Sequence, residues 1–180
     1  MAKTILITGA SSGIGAGMAR EFAKKGYNLA ICARRMERLE ELKNELTSQY
    51  KVEVSARILD VTNYDQVFDV FKAFKADFGT IDRVIVNAGV GQGRRIGKGN
   101  FDINRATVET NFISALAQAE AAVEIFRAQN SGHLVMISSM SAMRGMPKHL
   151  TAYGASKAGV AILAEGIRAE LIDTPIKVST

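Results

Sequence analysis

Tyr153 and Lys157, four residues apart in the segment YGASKAG, are the pair of residues in this sequence best suited to do chemistry. One helical turn separates them, so both side chains would lie on the same face of a helix. A phenol has an ordinary pKa of about 10 and is a poor acid at neutral pH, but a neighbouring ammonium group favours the phenolate. The pair could therefore exchange a proton with a substrate. The same spacing also arises between two surface residues of an amphipathic helix, so the pattern needs support from the rest of the chain.

A glycine-rich segment near the N-terminus gives that support. Residues 3–8 (KTILIT) are typical of a strand buried on both faces, and residues 18–25 are compatible with a helix. Between them, Gly9, Gly13 and Gly15 predict a tight strand-to-helix turn that leaves room for a pyrophosphate at the helix N-terminus. The alternative is a glycine-rich turn that binds no ligand.

Taken together, the motifs resemble the short-chain dehydrogenase/reductase family over the whole sequence. The resemblance is carried by TGASSGIG (8–15), NAG (87–89), Asn111, Ser139 and YGASK (153–157). It implies a single α/β domain, residues 1–180, with the doubly wound parallel sheet of a Rossmann fold and strand order 3-2-1-4-5-6. Strand-like and helix-like segments alternate along the chain, as such a sheet requires.

The C-terminal end of the sequence departs from the family pattern. Residues 176–179 begin a sixth strand, and family members usually continue with a Pro-Gly turn, a substrate-covering segment and a further strand. None of these occurs in the sequence. We therefore expect the fold to be truncated at the sixth strand and part of the substrate pocket to lie outside this chain.

The resemblance also implies roles in catalysis. Tyr153 would donate the proton, Lys157 would bond the nicotinamide ribose, and Ser139 would hydrogen-bond the substrate carbonyl oxygen. Ser138 and Ser141 are rivals, because the 14 residues from Ser139 to Tyr153 are one more than expected.

Asn111 would hold a water molecule that connects Lys157 to solvent as a proton relay. The alternative for Asn111 is a polar residue on a partly buried helix.

The end of the second strand predicts the cofactor. NAD-preferring folds place a carboxylate there to bond the ribose, whereas an arginine accommodates the 2′-phosphate of NADP. The position holds Ala33, followed by Arg34 and Arg35, which favours NADP over NAD. The alternative is two solvated arginines at a strand end. Asp60 and Val61 would lie beside the adenine ring. The expected cofactor-binding residues are Gly9, Ser11, Ser12, Gly13, Ile14, Gly15, Arg34, Arg35, Asp60, Val61, Asn87, Ala88 and Gly89, together with Tyr153 and Lys157.

Composition narrows the class of protein further. The net charge is +5, but the basic residues are dispersed and no nucleic-acid motif is present. No apolar run approaches the ~20 residues of a membrane span, and we expect a cytoplasmic protein. Cys32, the single cysteine, is expected to be a buried, inert thiol. No cluster of histidine, cysteine and acidic residues predicts a metal site. The glycine- and arginine-rich stretch 90–100 predicts a flexible loop at the mouth of the site.

These inferences predict an NADP-dependent oxidoreductase that interconverts a carbonyl and an alcohol on a small molecule. The resemblance also implies a homodimer or homotetramer, since in this family the long helix, here near residues 105–128, and the Tyr153 helix usually form a dimer interface. The alternative is that both helices only pack onto the sheet of their own chain. One alternative is a non-catalytic, redox-sensing NADP-binding protein, against which the set Ser139, Tyr153 and Lys157 argues. Another is a sugar-nucleotide epimerase of the related extended family, which the short distance from the glycine turn to Tyr153 opposes.

Overall fold

A computed structural model describes residues 2–146 and 148–180 of the chain. The strands are β1 (Thr4–Thr8), β2 (Asn28–Ala33), β3 (Val54–Ile58), β4 (Arg83–Val86), β5 (Gly132–Met136) and β6 (Ile176–Ser179). The helices are α1 (Gly13–Lys24), α2 (Met36–Tyr50), α3 (Tyr64–Phe78), α4 (Phe101–Val108), α5 (Ser114–Gln129) and α6 (Thr151–Glu170).

All six strands pair in parallel in the order β3-β2-β1-β4-β5-β6, which confirms the predicted order. The central strands are apolar on both faces, so helices must cover both faces of the sheet. Alternate residues of β1 show this arrangement. Ile5 and Ile7 pack in one buried cluster with residues of α1 and α2, whereas Leu6 packs in the other with residues of α3, α5 and α6.

Cys32 lies on β2 and is fully buried in the cluster formed with α3, α5 and α6. Its thiol is 3.8 Å from the carbonyl oxygen of Ile7, its only polar contact among the described residues. Burial raises the pKa of this thiol far above its ordinary value. The expectation that this thiol is buried is confirmed.

The predicted long helix near residues 105–128 is interrupted. A π-helical turn, Glu109–Ile113, separates α4 from α5 and centres on Asn111. Single π-turns inside helices are uncommon and often accompany functional sites.

The stretch 90–100 is irregular, as predicted, but it is tied to α4 by hydrogen bonds. Asn104 accepts the backbone N–H of Arg94 at 2.8 Å and donates to its carbonyl oxygen at 3.2 Å. The hydroxyl of Thr107 donates to the carbonyl oxygen of Gln92 at 3.1 Å. These bonds fix residues 92–94 against the helix, so the expected flexibility does not extend to this part of the loop.

Within residues 2–146 and 148–180, the longest apolar helical stretch falls short of what a membrane crossing requires.

Candidate active site

A cleft of about 600 Å³ opens at the carboxyl ends of the strands. It lies where chain connections run in opposite directions from β1 and β4, the usual ligand site of an open parallel sheet. Hydrogen bonds hold these two strand ends together. The backbone N–H groups of Asn87 and Ala88 each donate to the hydroxyl of Thr8 at 3.1 Å. The Asn87 side chain donates to the Thr8 carbonyl oxygen at 2.9 Å.

The glycine turn forms one wall of this cleft. Gly9 and Gly13 have φ angles of 68° and 55°, in the left-handed region that favours glycine. A Cβ on Gly15 would overlap the carbonyl oxygen of Gly9 and lie 2.7 Å from Nδ2 of Asn87. Only glycine therefore lets α1 start so close to the sheet.

The start of α1 suits an anionic ligand. Ser12 precedes the helix in an extended conformation, and its side chain makes no capping hydrogen bond. The first turn carries no acidic residue. Helix N-termini offer unpaired N–H groups and a partial positive charge, which together bind phosphate groups.

Two arginines continue the cleft at the end of β2. Both Arg34 and Arg35 line it, and Ala33 lies beside them where a carboxylate would bond ribose hydroxyls. The Arg35 guanidinium donates to the hydroxyls of Ser11 and Ser12 at 3.0 and 2.8 Å. These bonds hold a cation over the glycine turn, so the residues present fit a phosphorylated dinucleotide.

Asp60 lies two residues after the end of β3 and lines the cleft. Burial alone would raise the pKa of its carboxyl, but two hydrogen bonds from Thr62 and the charge of Arg34 outweigh this effect and lower it. Both bonds from Thr62 reach the same oxygen, at 3.0 Å from the backbone N–H and 2.7 Å from the hydroxyl. The carboxylate is therefore held ionised and oriented at the wall of the cleft.

Tyr153 and Lys157 line the other end of the cleft, on the first two turns of α6. Lys157 is only 6% exposed, and its ammonium donates to the carbonyl oxygen of Ile137 at 2.7 Å. Burial lowers the pKa of Lys157 from its ordinary value. Its backbone carbonyl accepts the Ser138 hydroxyl at 2.7 Å, which ties α6 to the end of β5. Hydrogen bonds therefore hold both the ammonium group and the backbone of Lys157 in place.

Asn111 is buried behind the cleft wall and does not line it. Its side chain pairs with both backbone groups of Val90, accepting at 2.8 Å and donating at 2.9 Å. It also donates to the Ser156 hydroxyl at 3.2 Å, and that hydroxyl donates to the carbonyl oxygen of Tyr153 at 2.7 Å. A chain of hydrogen bonds thus links the loop after β4 to the turn of α6 that carries Tyr153.

Gly89 allows Asn111 and Lys157 to approach each other. A Cβ at this glycine would lie 3.1 Å from Oδ1 of Asn111 and 3.5 Å from Nζ of Lys157. The two polar groups therefore meet beside the same stretch of backbone.

The three candidate serines lie in different surroundings. Ser138 lines the cleft, but its hydroxyl proton is used in the bond to Lys157. Ser139 lies just outside the cleft wall, and its oxygen accepts the N–H of Ser141 at 3.1 Å. Among the described residues the Ser139 O–H has no acceptor, so it remains able to donate to a substrate. Ser141 lies in the middle of the 3-10 turn Met140–Ala142 and packs against Gly154 of α6.

All fifteen predicted cofactor-binding residues line one cleft, whereas Asn111 and Ser139 do not line it. Sequence reasoning missed Thr8, Thr62, Glu109, Thr110 and Ser156. Thr8 and Thr62 lie at or just after strand ends, a position that could have identified them. Glu109, Thr110 and Ser156 carried no signal beyond their proximity to Asn111 and Lys157.

The sequence of this chain is similar to those of known oxidoreductases. A family model described as short chain dehydrogenase matches residues 3–180. An uncharacterised oxidoreductase of Mycobacterium tuberculosis is 52% identical over 176 residues, which cover 97% of this chain and 70% of that protein. An NADP-dependent 3-hydroxy acid dehydrogenase of Schizosaccharomyces pombe is 34% identical over 180 residues, covering 98% and 68% of the two chains.

Solved structures agree in fold and differ in the cofactor they hold. An alcohol dehydrogenase of the archaeon Thermococcus sibiricus, complexed with 5-hydroxy-NADP, superposes with a TM-score of 0.91 at 30% identity. The match covers 98% of this chain and 74% of that one. An NAD+-bound xylitol dehydrogenase gives a TM-score of 0.92 at 28% identity, covering 98% and 68%.

Proposed function

Because this chain belongs to the short-chain dehydrogenase family of oxidoreductases, we propose that it interconverts a carbonyl compound and an alcohol with NADP(H) as cofactor. The observation that carries the proposal is the placement of Tyr153 and Lys157 in the same cleft as the glycine turn and two arginines. A protein that only binds the dinucleotide has no need of a tyrosine and a buried lysine at the far end of the cleft.

The proposed cofactor follows from the charges at the end of β2. Arg34 and Arg35 would hold the 2′-phosphate of NADP, with Arg35 already oriented by Ser11 and Ser12. Ala33 offers no carboxylate to repel that phosphate or to bond the hydroxyls of NAD. The name of the Schizosaccharomyces pombe relative and the ligand of the archaeal structure support the same choice.

The chain's own residues would position the substrate and supply the proton. When bound, NADPH supplies a hydride to the carbonyl carbon. The Tyr153 hydroxyl donates a proton to the carbonyl oxygen, and the Lys157 ammonium stabilises the phenolate that results. The free O–H of Ser139 donates to the same carbonyl oxygen and stabilises its developing negative charge.

Asn111 would have two roles: it would position the helix that carries Tyr153, and it would help to return protons to Lys157. Its side chain is fully used in bonds to Val90 and Ser156, which set the position of the helix that carries Tyr153. A water molecule held at its π-helical turn would return protons from solvent to Lys157, the role expected from the family resemblance.

We further propose that two copies of the chain associate through α5 and α6. The alanines of α5 are mostly packed inside the chain itself: Ala115, Ala119, Ala121 and Ala122 are buried. The outer surface of the two helices nonetheless exposes Leu116 and Ile162, the latter at 68%, and Ile113, the last residue of the π-helical turn before α5, is also exposed. Exposed apolar side chains on adjacent helices are typical of an interface between subunits.

The test of the proposed function has two parts. The first screens carbonyl compounds for turnover by following the absorbance of NADPH. The second titrates NADPH and NADH by fluorescence, where we expect NADPH to bind at least ~10-fold more tightly, about 1.4 kcal/mol. Arg34→Glu and Arg35→Glu should each reduce or reverse that preference. Equal affinity for both cofactors in the parent chain would contradict the choice of NADP.

A further inference from the structure

Positive charge is concentrated on the two loops that flank Tyr153. We call their basic residues, with the one basic residue of α4, the cationic rim: Arg94, Arg95, Lys98, Arg105, Arg144 and Lys148. The six lie within residues 90–109 and 140–150. These two segments contain six of the chain's 23 basic residues but only two of its 18 acidic residues. They therefore account for four of the five units of net positive charge, and the rest of the chain is nearly neutral.

The cationic rim is exposed and largely free of compensating charge. All six side chains are exposed to solvent. Within the two described ranges, 2–146 and 148–180, only Arg105 has a carboxylate within 4.0 Å, that of Asp102 at 3.4 Å. The other acidic residue of these segments, Glu109, lines the cofactor cleft.

The two loops that carry the rim are packed together near the catalytic end of the cleft. One loop leaves the cleft wall at Gly91, and the other runs from Ser138 to Tyr153, which both line the cleft. A Cβ on Gly93 would overlap the carbonyl oxygen of His149, so the backbones of the two loops are in close contact. The hydrogen bonds between Arg94 and Asn104 fix one of the loops against α4.

The cofactor does not account for this charge. The arginines that would hold its 2′-phosphate follow β2, on the far side of β1 from the strands β4 and β5 that lead into the rim. Six exposed cations, of which only Arg105 has a carboxylate partner among the described residues, leave an excess of positive charge that an anionic ligand would complement.

We propose that the carbonyl substrate carries a small anionic group, and that the cationic rim attracts and holds this group while the carbonyl reaches Tyr153. The inference rests on the proposed function and narrows its substrate to a class. A cleft mouth lined by one sign of charge raises the rate of encounter with an oppositely charged molecule, and salt weakens the effect. Carboxylates and phosphates would share this recognition, because arginine pairs with both.

The experiment compares pairs of substrates in which one member carries an anionic group and the other is neutral. One arm uses 2-, 3- and 4-oxo acids and their methyl esters, and the other uses dihydroxyacetone phosphate and dihydroxyacetone. We expect kcat/KM at low salt to be at least ~10-fold higher for the anionic member of one arm, and that arm identifies the group. Raising the ionic strength from 0.01 to 0.15 M, which shortens the Debye length from about 30 to 8 Å, should reduce the ratio.

Variants of the rim test whether these residues are responsible. Arg94→Gln/Arg95→Gln and Arg144→Gln/Lys148→Gln should each reduce the anion-to-neutral ratio of kcat/KM by about fivefold, within the range for two exposed ion pairs. The matched control is Lys3→Gln/Lys72→Gln, which removes the same charge from exposed positions away from the cleft. It should leave the ratio unchanged, and thermal unfolding verifies that every variant is folded.

Two outcomes would overturn the inference about the substrate and leave the proposed function intact. One is equal kcat/KM for the anionic and neutral members of both arms. The other is an anion preference that the rim variants and the control variant change equally. A chain that turns over no carbonyl compound with NADPH would overturn the proposed function, and the substrate class with it.

Discussion

Gly15 and Gly17 lie two positions apart in α1 and meet opposite surroundings. A Cβ on Gly15 would overlap the Gly9 carbonyl oxygen, whereas a Cβ on Gly17 would meet no atom within 4 Å. We predict that Gly15→Ala lowers the free energy of unfolding by about 1–3 kcal/mol and weakens NADPH binding, because the turn must open. Gly17→Ala should raise the free energy of unfolding by about 0.5–1 kcal/mol, since alanine is the better helix former.

Urea unfolding and NADPH titration of both variants check this prediction. The pair controls for the chemical change itself, as both substitutions add one methyl group to the same helix. A Gly15→Ala variant as stable as the parent chain would show that the turn is looser than the structure indicates.

Tyr153 offers the sharpest test of the chemistry at a single residue. Tyr153→Phe removes only the hydroxyl, so we expect turnover to fall by about 10²–10⁴-fold, the usual contribution of a general acid. The Kd for NADPH should change by less than about twofold. Tyr64→Phe, at an exposed position on α3, makes the same change away from the cleft and should have no effect.

Steady-state kinetics and fluorescence titration measure the two quantities separately. Substantial turnover by the Phe variant would identify another group as the acid.

At the scale of elements, an ion pair joins β3 to α3. Arg57 donates to both carboxylate oxygens of Asp77, at 2.9 and 2.8 Å, and Ser55 donates to one of them at 2.8 Å. Burial alone would raise the pKa of Asp77, but the bonds from Arg57 and Ser55 outweigh it and hold that pKa below its ordinary value. A carboxyl with a lower pKa in the folded than in the unfolded chain stabilises the fold above the unfolded value, about 3.9.

We therefore predict that Asp77→Asn lowers the free energy of unfolding by about 0.5–1 kcal/mol at neutral pH, as expected for a partly exposed pair. The difference from the parent should shrink as the pH falls below about 4, through the folded-state pKa. Unfolding curves across this range measure it, with Asp69→Asn on the exposed side of the same helix as control. A difference that does not vary with pH would mean that the carboxylate charge contributes nothing.

Sequence patterns predicted the regular elements better than the interruption at Asn111. The strand Asn28–Ala33 and the beginning of the sixth strand at Ile176 follow from apolar runs between turn residues, and the structure has the same bounds. The π-helical turn depends on side-chain bonds from Asn111 to Val90, 21 residues away, which no local periodicity encodes. The same limit applies to the bonds of Arg35 with Ser11 and Ser12, since only the parallel pairing of β1 and β2 brings them together.

At the scale of the whole molecule, the proposed association through α5 and α6 predicts the oligomeric state of the chain and of its variants. Leu116→Glu and Ile162→Glu would place charges in an apolar interface, so we expect each to shift the protein toward the monomer. Ile172→Glu, at another exposed isoleucine beyond α6, is the matched control. Sedimentation velocity over a range of concentrations measures the distribution, and a parent chain that is monomeric throughout would contradict the proposal.

The position of Cys32 has a practical consequence for following these variants. Because it is the chain's single cysteine and lies fully buried on β2, a thiol reagent can reach it only when the sheet opens. The rate of labelling under native conditions therefore measures how often the central sheet opens. Slower labelling in the presence of a dinucleotide would report binding without any turnover.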